Sequence, residues 1–516
     1  MAATELPEQW AEASVLDLAS LIRGVSYAKG EALSSPTDGH VALLRANNIG
    51  DGLNFLDLQY VPQGRVSQEQ MIQTGDVVLA MSSGSKQVVG KAASARGKWN
   101  GTFGAFCGVL RPHWQVDPAF FGYYFQTKGY RDAISAASSG TNINNLKREY
   151  FEAIVVPLPP LAEQKRIVAR VEELLALVNA ARERLAKVPR ILKRFRQSVL
   201  AAACSGRLTE DWRAAGSVSE SARALLERIL LNRKDRYLRQ TQECEKEGLR
   251  KPRQPKCLSA SEISNEPFSL PESWLWVTWD DLTDWITYGF TRPMPHVAEG
   301  IPVVTAKNVL HDFVDLMSAD RTSLEAFESL NDKDRPEAGE ILLTKDGTLG
   351  RAAIVQKGQR CCINQSVAVL RFGGLSANER YLLRVIQCPF TQNLIEEGAK
   401  GAAMPHISIT TFGSFPVPLP PLDEQKEIVR RVEALFKLAD QIEQRVAAAT
   451  KRADKLTQAI LAKAFRGELV PTEAELARQE NRSYEPASAL LGRIRSQREQ
   501  PKPTGARAKS TRKTKG

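Results

Sequence analysis

The sequence predicts an α/β fold in which two mixed α/β domains are separated by a pair of long antiparallel helices forming a coiled coil, with a pseudo-twofold internal repeat. Three observations carry this. The segment VPLPPLAEQKRIVARVEEL, from Val156, returns 261 positions later as VPLPPLDEQKEIVRRVEAL, from Val417, and internal repeats dictate architecture. Each copy opens an apolar heptad seam. Each is preceded by short β-rich runs bounded by turn residues.

The spacing holds without insertion or deletion as far as QSVLAAACSGRL at Gln197 and QAILAKAFRGEL at Gln458. Looser echoes flank it: LPEQW at Leu6 answers LPESW at Leu270, and ESARALLERI at Glu220 answers EPASALLGRI at Glu485. Two copies are too few for a solenoid, which needs at least three stacked units. They suit a pseudo-twofold object offering equivalent surfaces to two partners.

In chain order, residues 1–157 form the first mixed α/β domain, with strand-like runs GDVVLAM at Gly75 and FCGVL at Phe106. Residues 158–206 are the first long helix. Its seam reads Val171, Leu174, Val178, Leu185, Leu192 and Phe195, in alternating steps of three and four with Ala181 and Val188 between. A Pro-Pro pair precedes the helix and Gly206 ends it, as helix termini favour. Pro189 interrupts this copy where Thr450 stands in the other, so a kink is expected near Val188.

Residues 207–265 are a charged helical connector, and 266–418 the second mixed α/β domain, with GEILLT at Gly339 and SVAVLRF at Ser366. The second long helix, 419–467, has the seam Val432, Leu435, Ile442, Val446, Leu456 and Ile460 and stops at Gly467. Residues 468–516 are a C-terminal segment with a basic, disordered tail. A strict 3.5 repeat selects a helix of similar length as partner, so the two copies are expected to pair with each other, antiparallel. About 45 residues at roughly 1.5 Å each give a rod of about 68 Å, two turns of B-DNA at roughly 34 Å each.

Composition narrows the function classes. With 516 residues, 43% hydrophobic and 25% charged, the chain has room for two or three packed domains. No run of eighteen apolar residues and no basic-then-apolar leader occurs, so the expected location is the cytoplasm. Seven cysteines without a Cys-x-x-Cys pair form neither a disulfide framework nor a zinc site. The formal charge of +11 points to a polyanion. More than half of that excess lies in the tail, at Lys502, Arg507, Lys509, Arg512, Lys513 and Lys515.

Landmarks recur between the domains, RANNI at Arg45 beside TAKNV at Thr305 and VGKAA at Val89 beside LGRAA at Leu349, while most other positions diverge. A shared scaffold with divergent decoration fits two reading heads with different targets. Candidate DNA contacts lie in the polar loops: Arg45, Asn47, Ser83, Lys86, Gln87, Lys91, Asn144 and Lys147 in the first domain, and Lys307, Lys345, Thr348, Arg351, Lys400 and His406 in the second. Asn, Gln, Arg and Lys match base edges, and Ser and Thr reach phosphates. Asp346 and Asn145 lie in the same loops.

Phosphate-loop, H-E-x-x-H, Gly-x-Ser-x-Gly and G-x-G-x-x-G motifs are all missing. Glu163 to Lys165 and Glu424 to Lys426 resemble the tail of a metal-dependent nuclease motif, but no acidic strand partner lies upstream. These triplets open helices, where acidic side chains offset unpaired N–H groups. No catalytic residue and no metal site is assigned. The class alternative to a DNA reader is a coiled-coil scaffold without sequence-specific DNA binding.

At VPLPPLxEQKxIVxRVExL, repeated and followed each time by a Gly-x-Leu helix end, the chain resembles the DNA-specificity subunits of type I restriction-modification enzymes. The likeness spans its length and includes GRLTEDWR at Gly206, GELVP at Gly467 and EPASALLGRI at Glu485. It implies two variable target-recognition domains, each reading one half of a split, asymmetric site in double-stranded DNA, with paired helices setting the gap. It also implies no catalytic centre here. Two modification subunits would bring S-adenosylmethionine for adenine methylation, and two restriction subunits ATP, Mg2+ and cleavage.

Overall fold

A computed structural model of the chain describes residues 6–50, 52–83, 88–137, 145–216, 220–248, 266–372, 377–400 and 405–499. Lys86, Gln87, Asn144 and the basic tail lie outside the described residues. The chain divides into two compact units, Met1–Ala186 with Ala447–Gly516, and Lys187–Val446.

In the first unit, β1 (Ala11–Ser14) leads into α1 (Val15–Leu18). Ser14 caps that turn reciprocally, its hydroxyl accepting from the Asp17 N–H while the Asp17 carboxylate accepts from its own N–H. There follow β2 (Ala19–Arg23), β3 (His40–Leu44), β4 (Gln59–Pro62), β5 (Val77–Ala80), β6 (Ala92–Ser94), β7 (Gly101–Phe103) and β8 (Cys107–Pro112). The domain finishes with α2 (Pro118–Tyr124), α3 (Lys128–Ala137), α4 (Arg148–Ala153) and β9 (Val155–Leu158).

The strands make a four-stranded antiparallel sheet in the order β2-β8-β5-β6 and a three-stranded one, β4-β3-β7, whose β3 and β7 run parallel. All four residues of β5 are buried. Val77 and Leu79 point into the core shared with the helices, while Val78 and Ala80 point into a second core with Leu44 and Phe103. A strand covered on both faces must be apolar throughout, which is why this run shows no alternation. β1 pairs with β9, bringing the two ends of the domain together.

From β9 the chain enters α5 (Leu161–Cys204). In the first unit its seam residues Val171 and Val178 are buried, Leu174 and Leu185 half-buried.

The second unit holds the rest of α5, α6 (Glu210–Ala214) and α7 (Ala222–Glu247). Leu192 is buried there and Phe195 half-buried. Pro189 sits inside α5 on the exposed side, and the helix is continuous through it. The expected interruption near Val188 is absent as a break.

The second domain repeats the first element for element: β10 (Leu275–Thr278), α8 (Trp279–Leu282), β11 (Trp285–Tyr288), β12 (Ile301–Val304) and β13 (Asp320–Thr322), with an added turn of helix, α9 (Leu324–Glu328). Next come β14 (Ile341–Thr344), β15 (Ala352–Ile354), β16 (Cys362–Ile363), β17 (Val367–Arg371), α10 (Glu379–Gln387), α11 (Pro389–Gly398), α12 (Ile409–Gly413) and β18 (Pro416–Leu419). The sheet orders are β11-β17-β14-β15 and β13-β12-β16, and β10 closes on β18. Cys361 and Cys362 are buried, Cys362 within β16.

The second long helix is α13 (Leu422–Ala464). In this unit Val432 is buried and Leu435, Ile442 and Val446 half-buried. Beyond Val446 the chain returns to the first unit with the end of α13, then α14 (Glu473–Glu480) and α15 (Ala487–Glu499). Ile460, Leu461 and Ala464 enter the core that holds Val171 and Val178. Leu456 departs from the expected seam: it is 52% exposed, and contact is made by its neighbours Ala453 and Ile460.

The helices run antiparallel. In the first unit Arg182 pairs with Asp454 at 2.7 Å, while Arg166, one end of α5 away, meets Glu473. In the second unit Arg196 meets Asp440 and Glu443 at 2.6 and 3.0 Å. As the number rises in α5, its partner's number falls in α13.

Candidate nucleic-acid interface

Each domain is locked onto its long helix by the repeated motif. Glu163 is buried, its carboxylate accepting from the Trp10 indole N–H at 3.0 Å and the Glu473 backbone N–H at 2.9 Å. Gln164 accepts from the Asp117 N–H and donates to the Pro159 carbonyl. In the second unit Glu424 accepts from Trp274 at 2.8 Å, from the Thr209 hydroxyl at 2.7 Å and from Arg213. Gln425 does for Asn378 and Pro420 what Gln164 does for Asp117 and Pro159. Gly467 and Gly206, both with positive φ, leave room that a Cβ would take from Pro7 and Pro271 respectively. The LPEQW echo, the EQ motif and the helix-ending glycine thus converge on one contact. The two glutamates are structural acceptors, and burial pushes the Glu163 carboxyl upward.

The connector has a definite place. Leu225 and Ile229 of α7 pack into the second domain's core, as Leu490 and Ile494 of α15 pack into the first's. Arg233 Nη1 donates to the carbonyls of Asp280, Asp281 and Thr283, and Arg498 Nη1 to those of Leu16, Asp17 and Ala19. Each guanidinium satisfies the free carbonyls at the end of a short helix.

With the scaffold held this way, the loops at one end of the sheets are tied into a rim. In the first domain the Gly104 N–H donates to the Leu44 carbonyl, Met81 and Ser82 donate to Phe106, and Leu146 donates to Met81 at 2.7 Å. In the second, Asn364 donates to Val304, Lys345 to Ser366, and Ile407 to Lys345 at 3.0 Å. These are equivalent bonds, made by loops whose side chains differ.

The rim brings together Arg45, Ser82, Ser83 and Asn145 in one domain and Lys345, Asp346, Thr348 and His406 in the other. Arg45 is half-buried, with Nη2 donating to the Asp57 carboxylate and carbonyl, each at 2.9 Å, and exposed Asn47 reaches the same carboxylate. The fourth residue of each RANNI-like landmark is structural: Asn48 and Asn308 are buried and take the backbone N–H of Arg45 and Thr305. Lys147 is exposed at the start of α4, Lys400 at the end of α11, and Thr348 in its loop. Lys307 is exposed, 3.9 Å from Asp320. Arg351 is half-buried where β15 begins, its N–H held by the Thr344 hydroxyl.

Lys345 differs from the exposed lysine its loop suggested. Its side chain is buried, with Nζ on Asp346 Oδ2 at 3.0 Å and lying 5.0 Å from the centre of the Tyr288 ring. Asp57, Tyr288 and Lys333, which also stacks on Tyr288, were invisible as partners because they lie on other strands and loops.

Lys91 is separate from the loop tips. It lines a cleft of about 1290 Å³ in the first unit, between edge strand β6 and the paired helices, together with Arg96, Lys98, Trp99, Arg131 and Arg182. Among the described residues no cluster of His, Cys, Asp and Glu could hold a metal ion. No helix there is long and apolar enough to cross a membrane.

The family model of the type I restriction modification DNA specificity domain matches residues 7–190 and 296–451. The chain is 34% identical over 509 residues to the EcoKI specificity subunit of Escherichia coli K12, covering 96% of this chain and 97% of that one. It is equally identical over 515 residues to the StySPI specificity subunit of Salmonella potsdam, covering 96% of each. Among solved structures, a chain from a type I R-M system study superposes with a TM-score of 0.61 at 19% identity, covering 90% of this chain and 99% of that one. The HsdS subunit from Thermoanaerobacter tengcongensis gives 0.51 at 18%, covering 90% and 99%. With two matched regions and near-full-length relatives, the chain belongs to the DNA specificity subunits of type I restriction-modification enzymes, non-catalytic DNA-recognition subunits whose associated activities lie in partner subunits.

Proposed function

We propose that residues 1–157 and 266–418 each read one half of a split, asymmetric site in double-stranded DNA, and that α5 and α13 set the gap between the halves. The chain directs adenine methylation or restriction by two modification and two restriction subunits in the cytoplasm, S-adenosylmethionine, ATP and Mg2+ being bound by those partners. The observation that carries this reading is the pair of loop rims, built on the same backbone hydrogen bonds but bearing different side chains. A repeated frame with unlike polar edges suits two different base sequences. Arg45, Asn47, Ser83, Lys86, Gln87, Lys91, Asn144 and Lys147 are the proposed contacts of one half, and Lys307, Thr348, Arg351, Lys400 and His406 of the other, with Lys345 acting from behind the rim.

Mapping methylated adenines in DNA from cells carrying the complete system tests it, since one map reports both half-sites and the gap. Two unlike half-sites at constant separation are expected. The gap is tested by inserting four residues after Leu185 and four after Thr450, levels matched by the neighbouring Arg182–Asp454 pair. Four residues add about 6 Å and turn a helix by about 40°, a step coiled coils accept as a stutter. One base pair adds about 3.4 Å and turns by about 34°. The gap should therefore lengthen by one to two base pairs with both half-sites unchanged; an unchanged gap in a folded variant contradicts the spacer role. A scaffold that does not read DNA would yield no consistent site.

A further inference from the structure

One isolated β-bridge recurs in both rims, joining Ser82 to Asn145 in the first domain and Asp346 to His406 in the second. The backbone around it is conserved between the copies. Leu146 donates to the Met81 carbonyl as Ile407 donates to that of Lys345, and Met81 and Lys345 themselves donate to Phe106 and Ser366. On this common frame the chemistry changes completely. One bridge carries a hydroxyl and an amide, both neutral; the other carries a carboxylate and an imidazole, backed by a buried ammonium.

The second bridge is built in layers. The Tyr288 ring lies under Lys345 Nζ, Lys345 holds Asp346 Oδ2 at 3.0 Å, and Asp346 Oδ1 engages His406 Nδ1. A carboxylate only accepts, so Nδ1 carries the proton and the ring orientation is set. In the neutral ring the outward atom, Nε2, is then an acceptor. The His406 side chain is 49% exposed and that of Asp346 24%, so the ring edge is open while its support is largely covered. Preorganised support beneath an exposed polar edge is the arrangement that precise recognition requires.

We propose that these bridges are the base-reading centres of the two domains: His406 Nε2 accepts from the exocyclic amino group of an adenine or cytosine in the major groove, and Asn145, with its amide donor and acceptor, makes the corresponding contact in the first domain. Lys345 is a positioning residue that acts through Asp346. This rests on the DNA-reading function proposed above and names the atoms that carry it. In the major groove the exposed amino groups are adenine N6 and cytosine N4, so the partner of an acceptor is confined to those two bases.

The experiment uses the full chain assembled with its modification subunits and duplexes bearing the mapped site. Each adenine or cytosine of the second half-site is replaced in turn by purine or 2-pyrimidinone, which lack the amino group. Wild type should lose about 5- to 150-fold in affinity at one position in particular. His406→Ala should lose a similar factor on the natural duplex and become indifferent to the analogue there, with discrimination in the first half-site intact. Asp346→Asn, which preserves shape while removing the charge that fixes the ring, should reduce that discrimination, and Lys345→Met should do so without changing the salt dependence of binding. Full discrimination by His406→Ala and by His406→Asn at every position of the second half-site would overturn the assignment while leaving the DNA-reading function standing. Failure of the wild-type complex to prefer any site would instead remove that function, and this inference with it.

Discussion

The indole N–H of Trp274 donates to the buried carboxylate of Glu424 at 2.8 Å, tying the start of the second recognition domain to the first turn of α13. Thr209 and Arg213 complete the shell, the guanidinium itself being largely covered. Glu424→Ala leaves that cation without its partner and should lower stability by about 3–5 kcal/mol. Glu424→Gln retains one acceptor and should cost about 1.5–3 kcal/mol. Urea unfolding of the full chain measures both; equal, small effects would mean that the lock contributes little.

Glu427 supplies a pH signature. The guanidinium groups of Arg430 and Arg431 beside it hold its carboxyl down to about 2, against an ordinary value of 4.5. Its contribution is therefore complete above about pH 4.5 and is lost as pH falls toward 2. The stability difference between wild type and Glu427→Gln should shrink across that window. A difference independent of pH would show that pairing with the arginines is not its source.

Pro189 removes one helical N–H and crowds the preceding turn of α5. Replacing it with threonine, the residue at the matched position of α13, should raise the unfolding free energy by up to about 3 kcal/mol. Unchanged or lower stability in a thermal melt would indicate that the helix is already adapted to the ring.

Buried and exposed lysines should separate in salt titrations. Lys307→Ala, at an exposed site, should reduce the slope of log affinity against log salt by about one if it meets a phosphate. Arg96→Gln combined with Lys98→Ala tests whether DNA backbone enters the basic cleft, with an expected reduction of about two. Identical slopes for the double variant and wild type would leave the cleft outside the DNA path.

Much of this fold was legible because duplication doubles every signal. The PLPPL helix starts, the apolar seam and the terminal glycines each appear twice at constant spacing, and period and punctuation are local properties of a sequence. The rest depends on partners far along the chain. Glu163 read as a helix-opening acid, yet its ligand is Trp10, 153 positions earlier; the clue was that LPEQW and the EQ motif recur together. Arg233 and Arg498 each follow the ESARALLERI-type echo by four residues, but a charged helix does not reveal which carbonyls it will cap. Lys345 sits in a Gly-bounded polar loop and was read as exposed. Its burial comes from Tyr288 on another strand, and no local pattern carries that. Leu456 obeyed the heptad, but near the end of α13 the contact passes to Ile460, Leu461 and Ala464.

The division into one contiguous and one discontinuous unit has a consequence for how the protein is made. Residues 187–446 can complete their packing as soon as that stretch has been synthesised. The N-terminal domain, though translated first, must wait for α15 to reach its core and for Ala464 to cover Val171. At roughly 5–20 residues per second, the earliest-born part of the molecule spends tens of seconds with an uncovered apolar face. The later-born unit should thus mature first, and truncations near the C-terminus should unravel the opposite end of the polypeptide.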